Sequence, residues 1–314
     1  MKQRILTGLG LVAFLILIFF SKSVTTYIFD AFIVLLAMYA GYEMSNILKK
    51  IGYYNNKWAI ILYPVLAYAL YQICMLKNVP IYLMFVMQVA LVILLVAVIA
   101  IWGVITRKSS ENEIKTRKLK YSVEQFSIFK GIQTLFGLVY PGLILMLLIF
   151  VNNLQNLTYT FNKFLGYEYA ISLFLLIYTF AMPIIVDTFA MLTGSLFKGK
   201  KLCPNLSPKK TISGAIGGFI WGMAGAVAIF FIFSAFDTYS VIFATLNITW
   251  WKVLIAGAVS AIVCQIGDLF ESFLKRKANV KDSGDILPGH GGILDRIDSH
   301  IANVIVVFIL MLVL

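Results

Sequence analysis

The chain has 314 residues, 61% of them hydrophobic and only 13% charged, with a mean hydropathy of +0.91 and a formal net charge of +12. This excludes an ordinary soluble domain, and runs such as 81–102 are long enough to cross the hydrocarbon of a bilayer. The three cysteines, Cys74, Cys203 and Cys264, are scattered without a CxxC spacing, which argues against a zinc site or a disulfide framework.

The hydropathy pattern predicts an all-α polytopic membrane protein of about nine transmembrane helices, at roughly 5–20, 24–42, 58–75, 80–105, 132–151, 167–191, 214–234, 251–271 and 299–314. Lys2 and Arg4 ahead of an apolar run resemble the start of a signal peptide. No small-residue cleavage site follows, so 5–20 reads as a retained first span. Of the 26 Lys and Arg residues, alternate flanks of these spans hold 22 and 4. The positive-inside rule then puts the N-terminus and the loops near residues 120, 205 and 285 in the cytoplasm, and the C-terminus outside.

Residues 1–130 read as an N-terminal transmembrane scaffold. Asp30 and Glu43 lie near opposite ends of the second span, where water is expected to solvate both. The loop 106–130 carries seven basic residues and three glutamates. It is expected to rest on an anionic cytoplasmic leaflet, each well-placed cation contributing about 1 kcal/mol. Nucleic acid is not an expected partner, because the basic residues lack interleaved aromatic stacking groups.

Residues 131–314 read as a catalytic region with a cytoplasm-facing polar site. Asp187 interrupts the sixth span and shares a helical face with Ala190, Met191 and Gly194. An ionised carboxylate there needs a cation or a wet cavity. In the loop that follows, Ser207-Pro208 is expected to form a turn and Thr211 or Ser213 to cap the next helix. That helix carries Gly214, Gly218 and Gly222 on one face, open to close approach by a neighbour. Lys209 and Lys210 stand just ahead of its N-terminus, a position that favours phosphate but also serves as a plain topology signal.

The stretch from Asp268 to Asp298 holds six of the chain's 14 acidic residues and His290, one of its two histidines. Asp268, Glu271, Ser272 and Lys275 fall on one helical face, and Asp295 and Asp298 share a second face with Ser299. Between them, Gly291 and Gly292 let backbone amides approach a ligand. Hard oxygen donors without cysteine suit Mg²⁺, which is usually held by one or two carboxylates together with substrate phosphates. The pattern suggests phosphoryl or nucleotidyl transfer at the membrane surface.

The run Ser272-Phe273-Leu274-Lys275-Arg276, then Lys281-Asp282, then Pro288 to Asp298 (PGHGGILDRID) resembles the signature of phosphatidate cytidylyltransferases, also called CDP-diacylglycerol synthases. Asp187 with Ala190 and Gly194, and the run Ser207 to Thr211 (SPKKT), match a second region of that family in the same order. The chain departs from the family pattern at Met191, at Ser213 and in the order Lys198-Gly199.

The resemblance implies a Mg²⁺-dependent enzyme, using one cation or two, that joins CTP to phosphatidate of the inner leaflet and releases pyrophosphate. It implies a multi-pass protein of the cytoplasmic membrane with its site facing the cytoplasm, and family precedent allows a homodimer. Asp187, Asp268, Asp282, Asp295 and Asp298 are the implied metal residues. Lys209, Lys210, Lys275, Arg276, Lys281 and Arg296 are the implied phosphate binders, with Ser207, Thr211, Ser272, Gly291 and Gly292 lining the substrates. His290 either donates to a phosphate or bonds within its own turn. The carboxylates of Asp268, Asp282, Asp295 and Asp298 are expected within one or two metal coordination spheres of each other. Two other readings stand beside this one: a CTP-dependent polyprenol kinase, and an ion-coupled transporter, against which the acids cluster at the cytoplasmic ends of spans.

Overall fold

The computed structural model describes residues 17–157, 166–286 and 291–313. Most of the expected first span, and Pro288, Gly289 and His290 of the signature run, lie outside these. Among the described residues, eight helical segments are long and apolar enough to cross a membrane, so the chain is an all-α polytopic membrane protein. In chain order they are α1 (Thr26–Ile51), α2 (Lys57–Leu76), α3 (Ile81–Ile105), the bent segment Val123–Asn152, α7 (Glu168–Phe197), α8 (Ile212–Ser234), α10 (Trp250–Lys277) and α11 (Leu294–Val313). The bent segment comprises α5 (Val123–Gly137) and α6 (Ile144–Asn152), separated by a wide turn containing Pro141, which cannot donate to the helical ladder. Two short helices, α4 (Arg107–Thr116) and α9 (Asp237–Thr245), lie between spans.

Several helices outrun the expected spans. The bent segment starts at Val123 because Ser122 and Gln125 form a reciprocal capping box ahead of the apolar run. Helices α7, α10 and α11 extend through their polar ends, so Asp187, Asp268, Lys275, Asp295 and Asp298 all sit on helices.

The chain forms two compact units. The first comprises residues 1–146 with 277–294. In it α1 packs on α2 and α3 on α5. Asn56 caps α2 by accepting from the Ala59 amide, and Gly52 ends α1 in the left-handed conformation at φ 100°. A Cβ at Gly131 would lie 2.9 Å from the Val96 carbonyl oxygen, so a side chain there would push α3 and α5 apart. Helix α4 and its flanks pair Arg107 with Glu111, and Arg117 and Lys130 with Glu113.

Asp30 is fully buried, where the sequence reading expected water. It accepts from the Tyr68 hydroxyl at 3.2 Å and interacts with Lys22, itself buried. Burial pushes the Lys22 ammonium down to about 8, the charge of Asp30 opposing this.

The second unit comprises residues 147–276 with 295–314. Its seam is the glycine face of α8. A Cβ at Gly218 would lie 2.9 Å from the Ala190 Cβ of α7, and one at Gly222 would lie 2.7 Å from the Ala261 Cβ of α10. Helix α8 is therefore pressed between its two neighbours at backbone distance. Helix α11 joins through Asn303, which donates to the Thr179 carbonyl at 3.1 Å, and through Phe308 packed edge-on against Phe150.

Ahead of α8 stands a small antiparallel hairpin, β1 (Lys201–Cys203) and β2 (Ser207–Thr211). Its turn is Pro204 to Leu206, so Ser207-Pro208 opens the second strand and is not the turn. Pro208 has no amide to contribute, and a two-stranded hairpin tolerates this at its start. Thr211 closes the hairpin and caps α8, accepting from the Gly214 amide at 3.1 Å.

Candidate functional site

In the second unit, three long helices and the hairpin bring charged side chains together. Helix α10 presents Asp268, Glu271, Ser272 and Lys275 along one face. Lys275 is ion-paired with Glu271 one turn back, and its Nζ lies 2.5 Å from Asp295 Oδ1 of α11. Asp268 Oδ2 lies 2.5 Å from Lys210 Nζ of β2, and Asp268 Oδ1 accepts from Ser272 at 3.4 Å. Arg276 Nε donates to the Leu206 carbonyl at 3.2 Å, a second tie between the hairpin and the end of α10.

On α11, the Asp298 carboxylate accepts from the Ser299 amide at 2.7 Å, and the Ser299 hydroxyl donates to Asp187 Oδ2 of α7 at 3.1 Å. Asp187, Asp268 and Asp298 lie within electrostatic reach of one another. Gly267 sets this spacing: a Cβ there would lie 2.9 Å from the Asp298 carbonyl oxygen and 2.6 Å from the Ala302 Cβ. Any larger residue would separate α10 from α11 and spread the carboxylates.

Glu271, Asp295 and Asp298 are buried, Asp268 is about a quarter exposed, and Asp187 is exposed. Five carboxylates thus share two paired ammonium groups, Lys210 and Lys275. Carboxylates gathered on membrane-spanning helices are of the kind that a cation or a wet cavity accommodates. Among the described residues, no three carboxylate, imidazole or thiol groups are arranged to hold a metal ion directly. As arranged, the lysines act as counter-ions to the oxygens of Asp268, Glu271 and Asp295. The donors are all hard oxygens, the type that suits Mg²⁺.

The remaining sequence candidates fall elsewhere. Lys209, Arg276 and Arg296 are exposed, Ser207 is half-buried, and Thr211 is engaged as a helix cap. Lys281 and Asp282 are exposed on a loop of the first unit, and His290 lies outside the described residues. Gly291 adopts φ 81°, the left-handed region that glycine enters without steric cost.

That loop also involves a residue the sequence reading set aside. Glu43, only 1% exposed, accepts from Ser283 Oγ at 2.9 Å, the Ile293 amide at 3.1 Å and the Leu294 amide at 2.7 Å. It is therefore not solvated by water at a helix end. A cavity of about 540 Å³ opens beside it, lined by Tyr39, Tyr42, Asn46, Lys49 and Lys50 of α1 and by residues 283–286. Nothing local in the sequence marks Glu43, since its partners follow some 240 residues later.

A family model described as the cytidylyltransferase family matches residues 2–314. The chain belongs to the cytidylyltransferase family. It is similar to the phosphatidate cytidylyltransferase of Rickettsia conorii, at 45% identity over 126 residues, covering 40% of this chain and 52% of that one. It also matches the phosphatidate cytidylyltransferases of Rickettsia prowazekii, at 42% over 145 residues (46% and 61% of the two chains), and of Haemophilus influenzae, at 42% over 132 residues (42% and 43%). The chain thus spans about half the length of the curated relatives it matches. In this member of the cytidylyltransferase family, the charged cluster is built from the segments that carry the signature, Asp187, Lys210 and Asp268 to Asp298.

Proposed function

We propose that the chain is an integral membrane phosphatidate cytidylyltransferase of the cytoplasmic membrane, making CDP-diacylglycerol and pyrophosphate from CTP and phosphatidate. The observation that carries this reading is the cluster of Asp187, Asp268, Glu271, Asp295, Asp298 and Lys275 on membrane-spanning helices, with Lys210 of the hairpin paired to it. Charge of this kind is what a nucleotide triphosphate and its cation require. A phosphate oxygen of phosphatidate attacks the α-phosphorus of CTP, the new P–O bond forms as the α–β bridging bond breaks, and pyrophosphate leaves. The nucleophile is already anionic at neutral pH, so positioning and charge neutralisation supply the catalysis, with no covalent enzyme intermediate.

Asp187, Asp268, Asp295 and Asp298 are the residues of this cluster that would hold Mg²⁺, directly or through its waters. Bound there, the cation would neutralise charge developing on the phosphates. Lys210 and Lys275 keep the carboxylates apart and oriented through their ion pairs. The exposed Lys209, Arg276 and Arg296 would bind phosphate oxygens from the aqueous side. Lys281, Asp282 and His290 carry their proposed phosphate and metal roles on the family resemblance alone.

Purified full chain in liposomes is expected to release pyrophosphate from CTP only when phosphatidate is present. Chelation should abolish the release and Mg²⁺ should restore it. Formation of CDP in place of pyrophosphate would identify a kinase and sink this reading.

The 22-to-4 distribution of basic residues supports a cytoplasmic site. In a variant without native cysteines, single cysteines near residues 120, 205 and 285 are expected to resist a membrane-impermeant reagent applied to intact cells and to react after permeabilisation. Labelling of any of the three from outside would separate the site from cytosolic CTP.

A further inference from the structure

Glu43 belongs to α1, in the region the sequence presents as scaffold, yet its carboxylate is spent on the signature loop. Ser283 sits near the loop's start, and Ile293 and Leu294 are the two residues immediately before Asp295. The donors to Glu43 therefore bracket the segment that carries Asp285, Gly291 and Gly292. Leu294 is the first residue of α11, so the carboxylate also meets the positive end of that helix.

The packing is built around this group. A Cβ on Gly292 would lie 2.6 Å from both carboxylate oxygens of Glu43, and one on Gly284 would meet Oε1 at still closer range. Only a loop with glycine at both positions closes around a carboxylate here.

We propose that Glu43 is a positioning residue for the reaction. By accepting three hydrogen bonds it fixes Ser283, Ile293 and Leu294, and with them the backbone at the entry into α11, immediately before Asp295. Glu43 touches no substrate in this role. The catalytic half of the inference rests on the cytidylyltransferase reading given above, while the anchoring half stands independently of it.

The test compares full-length wild type, Glu43→Gln, Glu43→Asp and Ser283→Ala in liposomes. It measures amide hydrogen exchange by mass spectrometry, melting temperature, and kcat and KM for CTP. A neutral amide presents one acceptor where the carboxylate presents two. Glu43→Gln is therefore expected to raise exchange in the peptides spanning 283–294 by about tenfold and to lower kcat by a similar factor, with KM for CTP changed less than about threefold. Exchange across 81–105 should stay as in wild type. Glu43→Asp, which keeps the charge with a shorter reach, should recover part of both losses, and Ser283→Ala should raise loop exchange by about threefold.

Unchanged exchange at 283–294 in Glu43→Gln, or in both Glu43→Asp and Ser283→Ala if the first variant does not fold, overturns the anchor. Equal loosening of 81–105 would reduce the role to general stability and overturn the proposal too, as would a loosened loop with full kcat. Absence of CTP turnover in wild type would instead refute the assigned reaction, and loop exchange alone would then decide the anchor.

Discussion

Asp298→Asn is expected to lower turnover of CTP with phosphatidate by at least about a hundredfold, while the protein still folds and inserts. The substitution keeps shape and volume and removes one charge. Asp298 lies within electrostatic reach of Asp187 and Asp268, and it accepts a hydrogen bond from the amide of its own neighbour, Ser299, which an amide oxygen can also accept. The packing of α11 therefore has little reason to change. Asp295→Asn should be as damaging to turnover and more damaging to structure, because Asp295 also pairs with Lys275.

Asp30→Asn provides the comparison. It neutralises an equally buried acid of the first unit, beside Lys22 and Tyr68. It should lower the melting temperature and leave turnover per folded molecule close to wild type. Equal losses of specific turnover at Asp30 and Asp298 would mean that the effect is general destabilisation and that the carboxylate cluster has no special part in the chemistry.

Lys275→Met is expected to destabilise the second unit by about 3–5 kcal/mol, the usual result of removing one partner from a buried ion pair. Glu271 is fully buried, and the Lys275 ammonium lies between it and Asp295. Methionine fills much the same volume but leaves two carboxylates facing each other across apolar side chains. Thermal unfolding in detergent measures the loss. The double variant Glu271→Gln with Lys275→Met should melt above Lys275→Met alone, with a coupling of about 1–3 kcal/mol. If Lys275→Met melts with wild type, the ion pair contributes nothing to the fold, and Lys275 is held there for substrate alone.

The spans were legible because a run such as 81–105 needs only length and hydropathy to be recognised. The same holds for faces within one helix: Asp268, Glu271, Ser272 and Lys275 were aligned by the 3.6-residue period, and the glycines of α8 announced a close neighbour. What periodicity could not supply was the pairing between elements. Nothing in the spacing says that Lys210 turns to Asp268, or that Lys275 chooses both Glu271 and Asp295. The turn was misplaced because Ser-Pro is a common turn pair, while Pro204 and Asn205, three residues earlier, were equally good and formed it. Asp30 and Glu43 were misread for one shared reason: hydropathy locates an acid along a span but cannot see a partner distant in sequence.

The contact between Glu43 and the 283–294 loop also has a meaning for biogenesis. Ser283 is made 240 residues after Glu43, and at a synthesis rate of about 5–20 residues per second this is an interval of roughly 12–50 s. During that interval α1 has left the ribosome with an acidic side chain while three of its eventual donors, Ser283, Ile293 and Leu294, do not yet exist. The first unit to be translated is thus completed by one of the last segments to be translated. A nascent chain arrested before residue 277 would carry α1 to α5 without the three donors that Ser283, Ile293 and Leu294 bring to Glu43.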